Sequence, residues 1–172
     1  MPFVGNVAMF AYRADLFAKH GLARPASWTA TLAAARTIQD REQGVAGLSF
    51  RGIRGNPIVT GFMPILGAFG GAVVDAEGRA ALDSPAALKA LETFLAMKPL
   101  APRGIETWNA TEVREAMEQG RAAMASETQD RAREGADPLC VLERARWPIG
   151  LPEGHAAAQA GGGTHHHTVA LD

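Results

Sequence analysis

Apolar residues in the first part of the chain recur at spacings that predict helices alternating with short strands. A mostly apolar run at residues 3–12, containing Val, Met, Phe and Tyr, is typical of a buried strand. Gly21 marks the end of one helix. Ser27 is a favourable N-cap for the next, because its hydroxyl oxygen can accept a hydrogen bond from the first helical turn. The other predictions here are a helix at about residues 14–20, an apolar helix face with Leu32, Ala35 and Ile38, and a short strand at residues 47–50.

The longest uncharged run, residues 56–74, resembles a membrane span at first inspection. Prolines and glycines interrupt it, and the pair Gly70-Gly71 is a natural turn. A buried helix that ends at these glycines, followed by a short strand at residues 72–74, explains the run better than a bilayer-spanning helix does.

The second half of the chain continues the alternation. Ser84-Pro85 is the clearest helix start, because serine caps the helix and proline at the first helical position lacks an N–H that would otherwise stay unbonded. The buried stripe predicted for this helix consists of Leu88, Leu91, Phe94 and Leu95. Further predictions are a hairpin at residues 73–82, a helix at 111–120, strands at 121–125, 147–151 and 168–171, and a polar helix with a loop at 127–138. Such alternation indicates an α/β layered domain.

The composition of the chain limits the classes of molecule that it is expected to bind. Its 172 residues, 47% of them hydrophobic, suit one domain with a substantial core. Seventeen Lys and Arg nearly balance 18 Asp and Glu, so the chain lacks the basic character expected for binding to nucleic acid or an anionic membrane. A neutral solute is the better expectation. The first ten residues lack a signal-peptide pattern, so the chain as it stands is expected to remain in the cytoplasm.

No catalytic constellation is evident in the sequence. It has no nucleophile-elbow serine and no P-loop, and the carboxylates are scattered over predicted helix faces and turns. The run His165-His166-His167 raises the question of a metal site. Adjacent side chains on a strand point to opposite faces, however, so three consecutive histidines cannot converge on one ion without distortion. We therefore predict a solvated histidine run, no metal, no cofactor and no enzymatic activity.

Several segments together resemble one protein family. Residues 12–28 match its motif Y-N-x-D-L-F-x-x-x-G-L-x-x-P-x-T-W, with Arg13 in place of the usual asparagine and Ser27 in place of the threonine. The other matching segments are an uncharged helix ending in Gly-Gly (57–71), a hairpin leading into Leu-Asp-Ser-Pro (78–85), an F-x-x-G-x-A-A-M element (117–124), a strand ending in Leu-Pro-x-Gly (149–154) and a glycine-rich crossing (161–171). In this order, over nearly the whole chain, they resemble the sugar-binding solute-binding proteins of bacterial ABC importers, the maltose-binding-protein-like class.

This resemblance implies a fold, a function and partners. Family members have two α/β lobes joined by crossing strands, and they capture sugar in the cleft between the lobes. Residues 1–172 would form a piece of one lobe of this type II periplasmic-binding-protein-like fold, with helices on a small mixed sheet and crossing strands at about 3–12 and 163–171. The protein would bind a sugar or similar small neutral solute for import through an ABC permease, and the full-length protein would be periplasmic or on the cell surface. The alternative is a ligand-free remnant or a self-associating domain of the same fold, because separated crossing strands would present unpaired edges.

The resemblance also implies where a solute would bind. The family places aromatic rings against the apolar face of a pyranose and polar side chains against the hydroxyls. Trp108 loosely resembles such an aromatic contact, with structural packing as the alternative, whereas Trp28 matches a tryptophan that packs inside the lobe. By position, the candidate polar contacts are Arg54, Asn56, Ser126, Glu127, Thr128, Thr164 and His165, and ordinary loop polarity is the alternative for each.

Overall fold

A computed structural model of the chain describes residues 7–129 and 140–144, and among these the side chains of residues 10–126. The elements in chain order are β1 (Val7–Arg13), α1 (Ala14–Lys19), α2 (Trp28–Arg41), β2 (Ser49–Phe50), α3 (Asn56–Ala68), α4 (Pro85–Met97), α5 (Ala110–Glu118), β3 (Met124–Gln129) and β4 (Cys140–Arg144). Two 3-10 turns, Lys98–Leu100 and Ile105–Thr107, lie between α4 and α5. The predicted α/β class is confirmed over these residues, although α3, α4 and α5 follow one another with no strand between them.

The four strands form a small mixed sheet in the order β2-β3-β1-β4. β1 is antiparallel to both β3 and β4, whereas β2 is parallel to β3. The predicted first crossing strand therefore has partners on both sides and is not an edge. The predicted second crossing strand, residues 163–171, lies outside the described residues.

Helices cover both faces of the sheet because the strand side chains alternate in direction. Phe10 and Met124 belong to a large cluster with residues of α1, α2, α3 and α4, whereas Ala11 and Ala125 belong to a smaller cluster with α5. Trp28, at the start of α2, is buried in the large cluster and meets the ring of Phe10 edge to face at 6.3 Å. The prediction that Trp28 is a core residue is thus confirmed.

The predicted helix starts at Ser27 and Ser84 are also confirmed, whereas the helix predicted at 111–120 begins at Ala110 and has Asn109 as its N-cap. The hydroxyl oxygen of Ser27 accepts a hydrogen bond from the backbone N–H of Ala30, and that of Ser84 accepts one from Ala87. Ala35 and Ile38 of α2 are fully buried, and Leu32 packs against them as a half-buried residue.

The predicted buried stripe of α4 is wrong in three of its four positions. Leu88, Leu91 and Leu95 are 52%, 44% and 61% exposed, and only Phe94 of the predicted set is buried. The buried positions are Ala87, Ala90, Phe94 and Met97, which also recur at helical spacing. Small alanine side chains allow α4 to approach its neighbours closely, and this packing outweighs the greater hydrophobicity of the leucines.

Two short elements differ from their predictions. β2 has only two residues, and the predicted hairpin at residues 73–82 is a turn closed by one bridge between Val74 and Ala80. The carboxylate of Asp75 accepts hydrogen bonds from the N–H groups of Glu77 and Arg79, which stabilises the turn without a longer ladder. β3 begins at Met124 rather than Arg121 and continues through residues predicted to be helix or loop.

The uncharged run forms α3 and ends as predicted at the Gly70-Gly71 turn, where Gly70 adopts a φ of +74°. Among the described residues, no helix has the length and hydropathy that a membrane crossing requires. The predicted strands at 147–151 and 168–171 and most of the polar segment 127–138 lie outside the described residues.

Candidate functional site

The parallel pairing of β2 with β3 places two predicted binding segments side by side at one edge of the sheet, the segment of Arg54 and the segment of Ser126. Phe50 at the end of β2 is level with Ser126 of β3. The chain that leaves β2 therefore enters residues 51–56 beside Glu127, while β3 continues to Gln129. The carboxyl ends of adjacent parallel strands are a favoured place for ligands in open α/β sheets.

Hydrogen bonds join the loop after β2 to the turn that carries Trp108. The carbonyl oxygen of Trp108 accepts bonds from the N–H groups of Gly52 at 3.1 Å and Ile53 at 3.0 Å. The Nε of Arg51 donates to Oδ1 of Asn109 at 3.2 Å. The predicted segments around residue 54 and residue 108 are thus in direct contact, although they are distant in sequence.

Arg54 and Asn56 both lie at this edge and are exposed. Arg54 precedes Gly55, whose φ of +109° turns the chain into α3, and Asn56 is the first residue of that helix. Neither side chain makes a hydrogen bond or ion pair with the side chains that the structure describes.

Trp108 is half-buried and packs against both hydrophobic clusters. The guanidinium carbon of Arg121 lies 5.7 Å from the centroid of its ring, which is a cation–π distance. These contacts support the alternative interpretation, in which Trp108 packs against the core. Arg121 covers one face of its ring.

The remaining predicted residues lie partly or wholly outside the description. Ser126 is half-buried on β3, opposite Phe10 of β1. Glu127 and Thr128 follow it on the same strand, where only their backbone is described. Thr164 and His165 lie outside the described residues. The structure thus brings the segments of Arg54, Asn56, Trp108 and Ser126 to one edge, with the backbone of residues 127 and 128 beside them.

The carboxylates of the Trp108 turn already have partners. Glu106 forms an ion pair with Lys98 at 2.6 Å, and this bond lowers the pKa of Glu106. Glu112 accepts a hydrogen bond from the backbone N–H of Asn109 at 2.7 Å, which likewise lowers the pKa of Glu112. Both carboxyl groups therefore stay ionised to a lower pH than a free carboxyl group does. Within the part of the chain that the structure describes, no cluster of three His, Cys, Asp or Glu side chains could hold a metal ion.

Sequence reasoning missed Arg51, Gly52 and Asn109, which join the two loops. The feature of the sequence that could have pointed to this contact is Gly52, which follows β2 after one residue in the spacing Gly52-Ile-Arg-Gly55. A glycine at such a place indicates a close backbone approach, but the approaching partner is about fifty residues away in sequence and is visible only in the fold.

Comparisons with known proteins agree with this architecture. A chain from Deinococcus radiodurans, described as an ABC transporter-binding protein, is 27% identical over 130 residues, which are 72% of this chain and 31% of that relative. The ribitol complex of an ABC transporter solute-binding protein from Agrobacterium radiobacter K84 superposes with a TM-score of 0.76 at 26% identity, over 90% of this chain and 40% of that one. The D-mannitol complex of a solute-binding protein from Agrobacterium vitis S4 gives a TM-score of 0.72 at 25% identity, over 84% and 37%.

The chain therefore spans between 31% and 40% of the length of these relatives. Its fold corresponds to part of a type II periplasmic-binding protein, as the resemblance implied. The sequence model of the bacterial extracellular solute-binding proteins matches residues 1–138, most of the chain. The chain belongs to the family of bacterial extracellular solute-binding proteins.

Proposed function

We propose that this chain forms one wall of a binding site for a sugar, a polyol or a similar small neutral solute, in the substrate-binding component of an ABC importer. The observation that carries the proposal is the meeting of three separate segments at one edge of the sheet, where β2 ends beside β3. The ribitol and D-mannitol complexes of two relatives support this class of solute.

The side chains at this edge suit a polyhydroxylated ligand. The guanidinium of Arg54 offers donors only, whereas the amide of Asn56 and the hydroxyl of Ser126 offer both donors and acceptors. A sugar hydroxyl can donate and accept at once, so such a mixed set can hold several hydroxyls of one solute. Trp108 adds an aromatic surface beside them. Glu127, Thr128, Thr164 and His165 remain proposed contacts by position in the sequence.

The proposed role is binding and delivery rather than catalysis. The family consists of substrate-binding proteins that work outside the cytoplasm with ABC permeases, so we assign the full-length protein to the periplasm or cell surface and its solute to a permease. Closure of two lobes around the solute would favour the bound form through its differential affinity for the closed state.

An amide NMR titration of the chain tests the proposal directly. Ribitol, D-mannitol and a panel of mono- and disaccharides would be added at millimolar concentration, because a single wall gives up part of the contacts of a full cleft and each ~1.4 kcal/mol lost weakens binding tenfold. We expect saturable shifts confined to the segments around Arg54, Trp108 and Ser126. A well-dispersed spectrum that no solute changes would contradict the proposal for this chain.

A second candidate function is self-association, favoured by the exposed apolar stripe of α4. Leu88, Leu91 and Leu95 lie on one face of this helix and are 44–61% exposed. A symmetric dimer uses the same surface on both copies, and this stripe would provide such a surface.

Sedimentation over a range of concentrations tests self-association. We expect a monomer–dimer equilibrium that the triple variant Leu88→Gln, Leu91→Gln, Leu95→Gln abolishes. The matched control is Thr29→Gln on the exposed face of α2, which should leave the equilibrium unchanged. A single monomeric species at all concentrations would contradict this candidate.

A further inference from the structure

We infer that Gly52 is a positioning residue for the solute site, because it allows the loop after β2 to close against the turn that carries Trp108. This inference rests on the proposed function. A Cβ placed on Gly52 would lie 2.1 Å from the carbonyl oxygen and 2.8 Å from the carbonyl carbon of Ile105, and 3.3 Å from the Cα of Glu106. All three are backbone atoms, so no flexible side chain can move aside to accept the extra group.

The requirement at Gly52 is one of space rather than of backbone conformation. Gly52 is not among the glycines with a positive φ, so an alanine could adopt its backbone angles. What alanine could not do is keep the loop at its present distance from residues 105 and 106. Substitution would therefore displace the loop without imposing a strained φ at this residue.

The close approach at Gly52 coincides with the hydrogen bonds that join the two loops. The N–H groups of Gly52 and Ile53 share the carbonyl oxygen of Trp108, at 3.1 Å and 3.0 Å, and Arg51 bonds to Asn109 beside them. Such N–H···O bonds weaken steeply when the distance grows or the angle falls. Moving the loop away from Ile105 would thus break the hydrogen bonds that hold the loop against the turn of Trp108.

Displacement of this loop would change the geometry of the proposed site. Arg54 follows two residues later, and Asn56 begins α3, so both move with the loop relative to Trp108 and Ser126. Sites built from side chains on several elements depend on placement to within about 0.5 Å. Gly52 thus acts on solute binding through Arg54 and Asn56 rather than by contact.

Gly47 provides a matched control at the other end of β2. A Cβ on Gly47 would lie 2.3 Å from the carbonyl oxygen of Ala35, a clash as severe as that at Gly52. Its partner is helix α2, however, and not a loop of the proposed site. Gly61, within α3, is a mild control because the nearest atom to its Cβ would be the carbonyl oxygen of Arg51 at 3.9 Å.

The test compares Gly52→Ala, Gly47→Ala and Gly61→Ala in the full chain, with ribitol and D-mannitol titrations by NMR and with urea unfolding. We expect Gly52→Ala to weaken binding by the folded protein about tenfold or more, a loss of ~1.4 kcal/mol or more. Gly47→Ala should lower stability but leave the affinity of the folded molecules unchanged, and Gly61→Ala should preserve both. Equal affinity of Gly52→Ala and the unsubstituted chain would overturn the positioning role. Absence of binding by the unsubstituted chain would contradict the proposed function and the positioning role with it.

Hydrogen exchange keeps the inference testable if Gly52→Ala does not fold. In the unsubstituted chain, a solute that binds across the joined loops should slow exchange at the amides of Gly52 and Ile53. The amides of Gly70 and Gly71, bonded within the turn after α3, serve as the control and should not change. Saturable solute binding with unaltered exchange at Gly52 and Ile53 would overturn the inference.

Discussion

Ser27 and Ser84 illustrate how one side chain sets a helix boundary. Each precedes its helix in an extended conformation and accepts a hydrogen bond from an N–H group three residues later, at 3.1 Å and 3.3 Å. The first N–H groups of a helix have no partner inside it, so the serine oxygen satisfies a donor that would otherwise depend on water. Local chemistry of this kind depends on a few adjacent residues.

Replacing Ser27 with alanine should therefore destabilise the protein by about 1 kcal/mol, because the N–H of Ala30 loses its acceptor. Urea unfolding measures the change. Thr29→Ala, at an exposed position of the same helix, is the matched control and should change the free energy of unfolding by less than about 0.5 kcal/mol. Equal effects of the two substitutions would contradict a capping role for Ser27.

Glu42 shows how side chains at two helix ends can interact. Its carboxylate accepts hydrogen bonds from Lys19 at 2.6 Å and from His20 at 2.6 Å, which joins the ends of α1 and α2. Lys19 has the larger effect and His20 the next, and together they lower the pKa of Glu42 below its ordinary value of 4.5. The folded state therefore favours the ionised form of Glu42.

The stability that Glu42 contributes should depend on pH in a defined direction. Because its folded pKa lies below its unfolded pKa, the contribution is complete above pH 4.5 and is lost as the pH falls through the folded value. We expect Glu42→Gln to lower the free energy of unfolding at pH 7 and to match the unsubstituted protein in strong acid. Urea unfolding from pH 7 to pH 2 measures this. The free energy of unfolding of Glu115→Gln, an exposed control, should follow that of the unsubstituted protein over this pH range. If the difference between Glu42→Gln and the unsubstituted protein stayed the same at every pH, the linkage would be disproved.

At the scale of an element, α4 shows that hydrophobic residues alone do not define the buried face of a helix. Two apolar stripes run along it, one of leucines and one of Ala87, Ala90, Phe94 and Met97. Phe94 lies 5.2 Å from Phe50 and 5.8 Å from Phe62, measured between ring centroids, so it anchors the second stripe between the sheet and α3. The periodicity of the sequence fits both stripes, and the neighbouring elements select one.

Substitutions in the two stripes of α4 should therefore differ sharply. Phe94→Ala removes a buried ring and should cost about 3 kcal/mol or more. Leu91→Ala removes a side chain that is 44% exposed and should cost less than about 1 kcal/mol. Thermal or urea unfolding of the two variants measures the difference. A cost at Leu91 equal to that at Phe94 would mean that the leucine stripe is covered in solution.

At the scale of the whole molecule, β1 holds the described part of the chain together. It pairs with β3 along Val7–Gln129 to Tyr12–Met124 and with β4 along Met9–Arg144 to Arg13–Cys140. β3 in turn connects β1 to β2 and to the proposed solute edge. The sheet therefore links the first residues of the described chain to the loop that carries Arg54.

Amide hydrogen exchange should reflect this arrangement. The hydrogen-bonded amides of β1, a strand with a partner on each side, should exchange slowest, because they are released only by large-scale unfolding. Amides of the turn at residues 73–82, which is closed by one bridge, should exchange much faster. Exchange followed by NMR at neutral pH tests the order. Faster exchange in β1 than in the turn would contradict the central position of the strand.

Part of the proposed site could be predicted from the sequence, namely the segments around Arg54, Trp108 and Ser126. These predictions came from the order of family motifs, which reports the fold indirectly. The contacts between segments could not be predicted, because the bond from Gly52 to Trp108 joins residues in different elements. The cation–π contact of Arg121 with Trp108 was missed for the same reason.

The sequence by itself determined the features of this protein that rest on local chemistry: the capped starts of α2 and α4, the end of α1 just before Gly21, the turn at Gly70-Gly71 and the α/β class. Hydrogen bonding and backbone freedom at these places depend on neighbouring residues. Only the tertiary structure decided which apolar stripe of α4 is buried, how short β2 is, and which loops meet at the solute edge. Those outcomes depend on packing between distant parts of the chain, where space and shape, rather than hydrophobicity alone, determine which side chains are buried.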